Sequence, residues 1–337
     1  MKSYYIRSVE GGTVFEAREV AVPQAKSDEI LVCVRAASLN RGEILARISV
    51  HKADVPLPAG GDCAGEVQAV GEDVIAFKPG DRVLGRARGS FAEFVAMSAE
   101  EAAPAPLCLT WEQAAAVPIV SIAAYEILQR YAKLTPGETL LVVGAGSGLG
   151  VMCVQSGKYL GARVIGTSRS TEKLDRLKRL GLDIGIQTTS GDFGDRVREA
   201  TSGEGVNVAA NLIGGSAVPD CLRALANCGR LAIVGYVDGT LKAEIDLEAV
   251  HGKRLQIFGH SNQLLSPAER AEAMRGFIRT LIPAFADGRI TPLVDRCFRS
   301  TSCRPPETTS RPMPTWARWS CACPDPRREL LRATSSR

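Results

Sequence analysis

The chain has 337 residues, 45% of them hydrophobic, enough to bury a large core and long enough for two domains rather than one. Its formal charge of +4 is unevenly spread: residues 299–337 hold eight Arg against three acids, which leaves 33 basic and 34 acidic residues in 1–298 and no electrostatic footprint for nucleic acid. No apolar run reaches the roughly 18–20 residues of a membrane span, and "MKSYYIRSVEGG" lacks the apolar stretch of a secretion signal, so a cytoplasmic protein with no membrane partner is expected.

The first hundred residues are strand-like. "EILVCVRAASLN" and "GEVQAVG" carry β-branched apolar residues bounded by Gly, Asp and Asn. "FKPGDRVLG" sets a Pro-Gly turn before a short strand, and "GSFAEFVAMSAE" reads as another. From about residue 110, "TWEQAAAVPIVSIAAYEILQRYAKL" predicts two helical segments divided at Pro118.

Five strand–helix alternations follow, opening with "ETLLVVGAG", "LGVMCVQSGKYLG", "ARVIGTSRS" and "TEKLDRLKRLG" and continuing through "LDIGIQTT", "GVNVAANLIGG" and "GRLAIVGYVDG". Near-continuous apolar strands alternating with helices predict a parallel sheet covered on both faces, hence an α/β protein. "SPAERAEAMRGFIRTLIPAFADGRI" predicts an amphipathic helix with Pro267 in its first turn, and "ITPLVDRCF" a short returning strand. Cys33, Cys63, Cys108, Cys153, Cys221, Cys228 and Cys297 stand singly among apolar neighbours, the pattern of buried, reduced thiols rather than a disulfide framework.

"LVVGAGSGLG", Leu141 to Gly150, joins the first strand of this region to its first helix. Small residues there let the backbone approach a pyrophosphate, and the helix N-terminus presents N–H groups and partial positive charge. The glycines depart from a G-x-G-x-x-G register ending at Gly150, because Ala145 and Ser147 take the first two places. The flanking strand and helix still mark Gly146, Ser147, Gly148, Leu149 and Gly150 as a dinucleotide loop. An NAD site usually places an acid at the end of the second strand. Here that strand ends in Thr167, Ser168 and Arg169, with Lys173 one turn on, groups that suit the 2′-phosphate of NADPH.

With these residues in view, the chain resembles the medium-chain dehydrogenase/reductase superfamily, in its zinc-independent quinone oxidoreductase branch. The resemblance runs from Met1 to about Phe298 through "EILVCVRAASLNRGE", "GGDCAGEVQAVGEDVIAFKPGDRVLG", "SFAEFV", "AAAVPIVSIAAYEIL", "GTSRSTEKL", "GRLAIVGY" with Gly235 at the cofactor, and "TPLVDRCF". It implies a GroES-like β-barrel catalytic domain over 1–123, completed by 264–298, and a Rossmann domain with a doubly wound parallel sheet over 124–263. It also implies a homodimer.

In the family's alcohol dehydrogenases, catalytic zinc takes two Cys and a His, ligands of the kind zinc requires. The matching positions here are Asn40, Gly61 and a Cys-free "PIVSIAAY"; Cys63 stands in a different register, and His51, His251 and His260 lack partners at metal spacing. No metal is expected. Hydride then needs an acceptor that is already electron-poor, a quinone or an α,β-unsaturated carbonyl. The resemblance makes Asn40 a donor to the nicotinamide amide or substrate oxygen, and Arg47 a group that steadies negative charge on the reduced oxygen. Leu45, Ala123 and Asn211 depart from residues common in the family, which leaves substrate identity open. An enoyl-thioester reductase and an NADPH-binding protein with little turnover are the alternatives.

The family continues past "PLVDRCF" with a helix and a last strand of the type G-K-V-V-L-R-V, which residues 299–337 do not contain. Met and Trp have single codons, so the overlapping frame can be partly decoded. It accommodates P-[ILV]-D-E-[LVM] after Phe298 and G-K-V-V-[LVM]-R-[LVM] from Trp316. One base missing near the codons of Phe298 and Arg299 would account for the tail. A Pro-rich segment with few aliphatics is expected to be disordered.

Overall fold

A computed structural model describes residues 1–9, 12–40, 56–189, 192–262 and 264–298. The chain divides into two units, one holding Met1–Ile119 and the segment from Pro292 onward, the other Val120–Thr291. The aberrant segment 299–337, with its expected disorder, lies outside the described residues, as do Leu45 and Arg47.

The first unit is antiparallel. Its strands are β1 (Lys2–Val9), β2 (Gly12–Glu19), β3 (Glu29–Ala37), β4 (Leu57–Pro58), β5 (Asp62–Val70), β6 (Arg82–Arg86), β7 (Phe94–Ser98) and β8 (Ala102–Pro104). They form a three-stranded sheet, β2-β1-β4, and a five-stranded sheet, β7-β3-β5-β6-β8. Ile30, Val32 and Val34 alternate inward along β3 and bury completely with Cys63, Val67 and Phe91. Gly65 lets β5 approach β3 closely, because a Cβ there would stand 2.2 Å from the Cys33 carbonyl oxygen. The register between the two strands slips between Val34 and Ala36. Such irregularities bend a strand and re-aim the residues beyond it, here Ser38 and Asn40.

A short helix, Trp111–Ala115, starts at a capping box formed by Thr110 and Gln113. The Arg82 guanidinium lies 3.7 Å from the centre of the Trp111 ring and donates to the Leu109 carbonyl at 3.0 Å, which holds the helix against the sheet.

In the second unit, β9 (Thr139–Val143), β10 (Arg163–Ser168), β11 (Ile184–Gln187), β12 (Val206–Asn211), β13 (Leu225–Ile233) and β14 (Gln256–Gly259) make one parallel sheet in the order β11-β10-β9-β12-β13-β14. The helices between them are Gly148–Tyr159, Thr171–Lys178, Phe193–Ala200, Val218–Ala224 and Leu247–Gly252. Leu140, Leu141, Val142 and Val143 are all buried, as a central strand with helices on both faces requires. Strand order reverses between β9 and β12, and loops leaving the carboxyl ends of such a pair border a ligand crevice.

Three expectations are corrected. The segment 264–298 does not belong as a whole with the first unit: the capped helix Pro267–Thr280 clusters with the parallel sheet. Gly276 packs so tightly on Tyr125 that a Cβ would meet its hydroxyl at 2.1 Å, Arg130 pairs with Glu272 at 2.6 Å, and Gln155 exchanges two hydrogen bonds with the Thr291 backbone. "ITPLVDRCF" pairs with no strand among the described residues, although Phe298 packs against the first unit's core. Of the seven scattered cysteines, Cys33, Cys63, Cys153 and Cys221 are buried, but Cys108, Cys228 and Cys297 are exposed: Cys108 sits in a turn, Cys297 in irregular chain, and Cys228 within β13 at a left-handed φ of +55°.

Candidate functional site

The loop after β9 is shaped by three glycines with different duties. Gly144 has φ +85°, a left-handed conformation, and a Cβ there would reach Ile213 at 2.7 Å. Gly150 lies against the loop's own backbone, where a Cβ would be 2.5 Å from the Gly144 oxygen and 2.7 Å from that of Ala145. Gly146 borders β10: a Cβ there would stand 3.1 Å from Lys173 Cδ and 3.2 Å from Ser168 Oγ. The irregular glycine register thus still delivers a tight turn, a close approach and a helix-packing contact, with Gly150 in the last role.

Ser147 caps the helix Gly148–Tyr159, its hydroxyl accepting from the Gly150 N–H at 3.0 Å. Thr167 braces the loop from β10, its hydroxyl accepting from Gly144 N at 3.2 Å and its carbonyl from Ala145 N at 2.9 Å. No protein acceptor among the described residues meets the Gly148 and Leu149 N–H groups of the first turn. They and the helix dipole make a cradle for an anion.

Ser168 and Lys173 are half-buried beside Gly146, and Arg169 is exposed. Ser168 Oγ accepts from Ser170 N at 3.1 Å, and Ser170 caps the next helix by accepting from Lys173 N at 3.3 Å. The turn after β10 therefore carries a hydroxyl and two cations, of which Ser168 and Lys173 border the loop, and no acid occupies the end of that strand.

The neighbouring strand ends complete the rim. Leu212 N donates to the Val143 carbonyl at 3.2 Å, and Gly235 lies where a Cβ would be 3.4 Å from the Leu212 oxygen. Asn211 is fully buried and uses both poles of its amide: Nδ2 donates to Gly214 O at 2.8 Å, while Oδ1 accepts from Ile213 N at 3.0 Å and Gly214 N at 3.2 Å. A carboxylate could do only the second part, which accounts for an Asn at this place. Asp238 holds the far side of the same loop by accepting from Ser216 and from Thr240 N. Burial acts to raise its pKa, but the bonds from the Ser216 hydroxyl and the Thr240 and Ser216 amides win and hold it below the ordinary value.

The first unit carries a separate polar centre. Asp62 is fully buried on β5. Its Oδ1 accepts from the Ser38 hydroxyl and from Asn40 Nδ2 at 3.1 Å, and its Oδ2 from Ile119 N at 3.1 Å. The Ser90 hydroxyl donates to its backbone carbonyl at 3.0 Å. Asn40 Nδ2 also contacts Ser38 Oγ at 3.1 Å, so the amide expected to donate to a ligand directs its NH2 into the protein instead. Burial, then the charge of Asp62, pushes the neighbouring Cys63 thiol far up, which makes it no nucleophile. Sequence spacing gave no sign of this centre, since Asp62 is 22 residues from Asn40 and 57 from Ile119. Among the described residues, no three His, Cys, Asp or Glu side chains group as a metal site. His260 instead packs beside Tyr131 and Glu126.

The model of the alcohol dehydrogenase GroES-like domain matches residues 26–107, and that of the zinc-binding dehydrogenase matches 148–278. A phenolphthiocerol/phthiocerol polyketide synthase polypeptide of Mycobacterium tuberculosis is 32% identical over 234 residues, which are 69% of this chain but only 11% of that protein. The acryloyl-coenzyme A reductase of Metallosphaera sedula is 28% identical over 323 residues, 87% of this chain and 91% of the relative. The Escherichia coli quinone oxidoreductase solved with NADPH superposes with a TM-score of 0.75 at 25% identity, covering 89% of this chain and 93% of that one. A GroES-like unit followed by a parallel sheet in Rossmann order defines an oxidoreductase of two-domain α/β architecture. The chain belongs to the medium-chain dehydrogenase/reductase superfamily.

Proposed function

We propose that this chain is an NADPH-dependent, zinc-independent oxidoreductase that delivers hydride to a quinone or an α,β-unsaturated carbonyl compound, as a cytoplasmic homodimer whose partners are small molecules. The observation that carries the cofactor is the placement of Gly146 against Ser168 and Lys173, beside the N–H groups of Gly148 and Leu149 that meet no acceptor among the described residues. The cradle fits a dinucleotide: backbone N–H groups for the pyrophosphate, then a hydroxyl and the cations Arg169 and Lys173 for a ribose 2′-phosphate. An NAD site would want a carboxylate where Ser168 stands.

When bound, NADPH supplies the hydride. Within the second unit, Gly235 and the Asn211–Asp238 loop shape the rim at the strand ends; within the first, Asn40 and Arg47 are the residues that the family resemblance assigns to the nicotinamide amide or substrate oxygen and to negative charge developing on the acceptor oxygen. Asn40 and Gly61 stand where zinc relatives have ligands, and neither offers the nitrogen or sulfur donor that zinc prefers. With no Lewis acid of that kind, the residues can orient and desolvate an acceptor but cannot activate an unpolarised ketone.

The near full-length similarity to an acryloyl-coenzyme A reductase favours one second reading, an enoyl-thioester reductase. Following NADPH and NADH oxidation over quinones, enones and enoyl thioesters, with zinc quantified in the same sample, separates these. NADPH-specific turnover of quinones or enones without zinc is expected. Turnover confined to thioesters selects the second reading, and stoichiometric zinc required for turnover defeats both.

A further inference from the structure

The turn Ser168–Arg169–Ser170 borders the glycine loop through Ser168, whose Oγ would stand 3.2 Å from a Cβ on Gly146. Each of its five acceptor oxygens already carries a donor. Thr188 N donates to the Ser168 carbonyl at 3.1 Å and Leu174 N to that of Ser170 at 3.2 Å. Ser168 Oγ takes Ser170 N at 3.1 Å, and Ser170 Oγ takes Lys173 N at 3.3 Å. The Arg169 carbonyl takes Gln187 Nε2 at 3.3 Å. The Ser168 hydroxyl proton and the Arg169 N–H groups, by contrast, meet no acceptor among the described residues.

The turn therefore offers donors alone. A 2′-phosphate carries acceptors and suits such a surface, whereas the ribose 2′-hydroxyl of NADH brings a proton that finds no open oxygen there. Four of the five bonds that close the turn come from backbone N–H groups, which almost any sequence would supply. The fifth comes from a side chain. Gln187 ends β11 opposite Ser168 in the parallel register, and its own carbonyl is held by Arg196 Nη1 at 2.6 Å. We infer that Gln187 is a specificity-determining residue: by covering the Arg169 carbonyl it denies NADH an acceptor, so that the site rejects NADH as well as attracting NADPH. This rests on the NADPH reading and extends it to a residue on the next strand.

The test is fluorescence titration of the purified full chain with NADPH, NADH and an NADH that lacks the adenosine 2′-hydroxyl. Gln187 is exposed, so Gln187→Met, which keeps the length and loses the N–H donors, leaves the core untouched. NADH should bind this variant about three- to tenfold more tightly than the wild type, the size of one hydrogen bond, with NADPH changed by less than about twofold. The 2′-deoxy analogue should gain nothing. NADH affinity that is unchanged or lower in Gln187→Met, or an equal gain for the 2′-deoxy analogue, overturns the inference, while a wild type that still prefers NADPH leaves the proposed function standing. A wild type that binds NADH as tightly as NADPH, or binds neither, sinks the proposed cofactor and the inference with it.

Discussion

The two units build their polar centres from opposite materials. In the parallel sheet, the loop from Gly144 to Gly150 is made of backbone: its donors are amides, its shape comes from absent side chains, and its partners Thr167, Ser168 and Lys173 arrive on the next strand and turn. In the antiparallel unit, the centre at Asp62 is built around side chains from three separate stretches of chain, Ser38 with Asn40, Asp62 and Ser90, with one backbone N–H from Ile119. A backbone cradle tolerates almost any change except added volume. A side-chain network tolerates almost any change except lost or reversed polarity.

That contrast can be broken in order of severity. Gly150→Val should have the largest effect, since even a Cβ would collide with the loop carbonyls. NADPH affinity, read by fluorescence titration, should fall at least about 100-fold; a loss under tenfold would show that the loop is not backbone-limited. Reversing both charges at Arg169 and Lys173 to Glu should weaken NADPH by about 100-fold and NADH by no more than a few fold, because charge-assisted bonds to the 2′-phosphate go while the pyrophosphate contacts stay. An equal loss for both nucleotides would place the 2′-phosphate elsewhere.

Asn211→Asp should cost about 1–3 kcal/mol in urea unfolding, since a buried carboxylate would face the Gly214 carbonyl it now bonds. The smallest effect concerns acid. Asp238 has a folded pKa below its ordinary 3.8, so it binds protons less readily folded than unfolded. It therefore adds stability above that value, lost as pH falls through and below it, and Asp238→Asn should flatten the fall in stability below about pH 4 with little change at neutrality.

The fold was largely legible because its signals are local. Apolar runs such as "LLVV" announce buried parallel strands, "GAGSGLG" announces a strand-to-helix turn, and "SPAE" announces a capped helix. Spacing alone did not show which glycine met which neighbour: Gly150 keeps the packing contact the register gives it, while Gly144 and Gly146 stand in for the glycines missing at Ala145 and Ser147. The allegiance of the helix Pro267–Thr280 was hidden because Gly276 reads as a weak helix residue until Tyr125 is seen against it. The orientation of Asn40 was the least legible, since a neighbour 22 residues away decides it.

Ser147 and Thr167 already satisfy the inner amides of the glycine turn, so the cradle exists before any guest arrives. A preformed receptor loses little disorder on filling, and its selectivity rests on charge. The strength with which this protein holds its nucleotide should therefore follow ionic strength closely, weakening as added salt shortens the reach of Arg169 and Lys173.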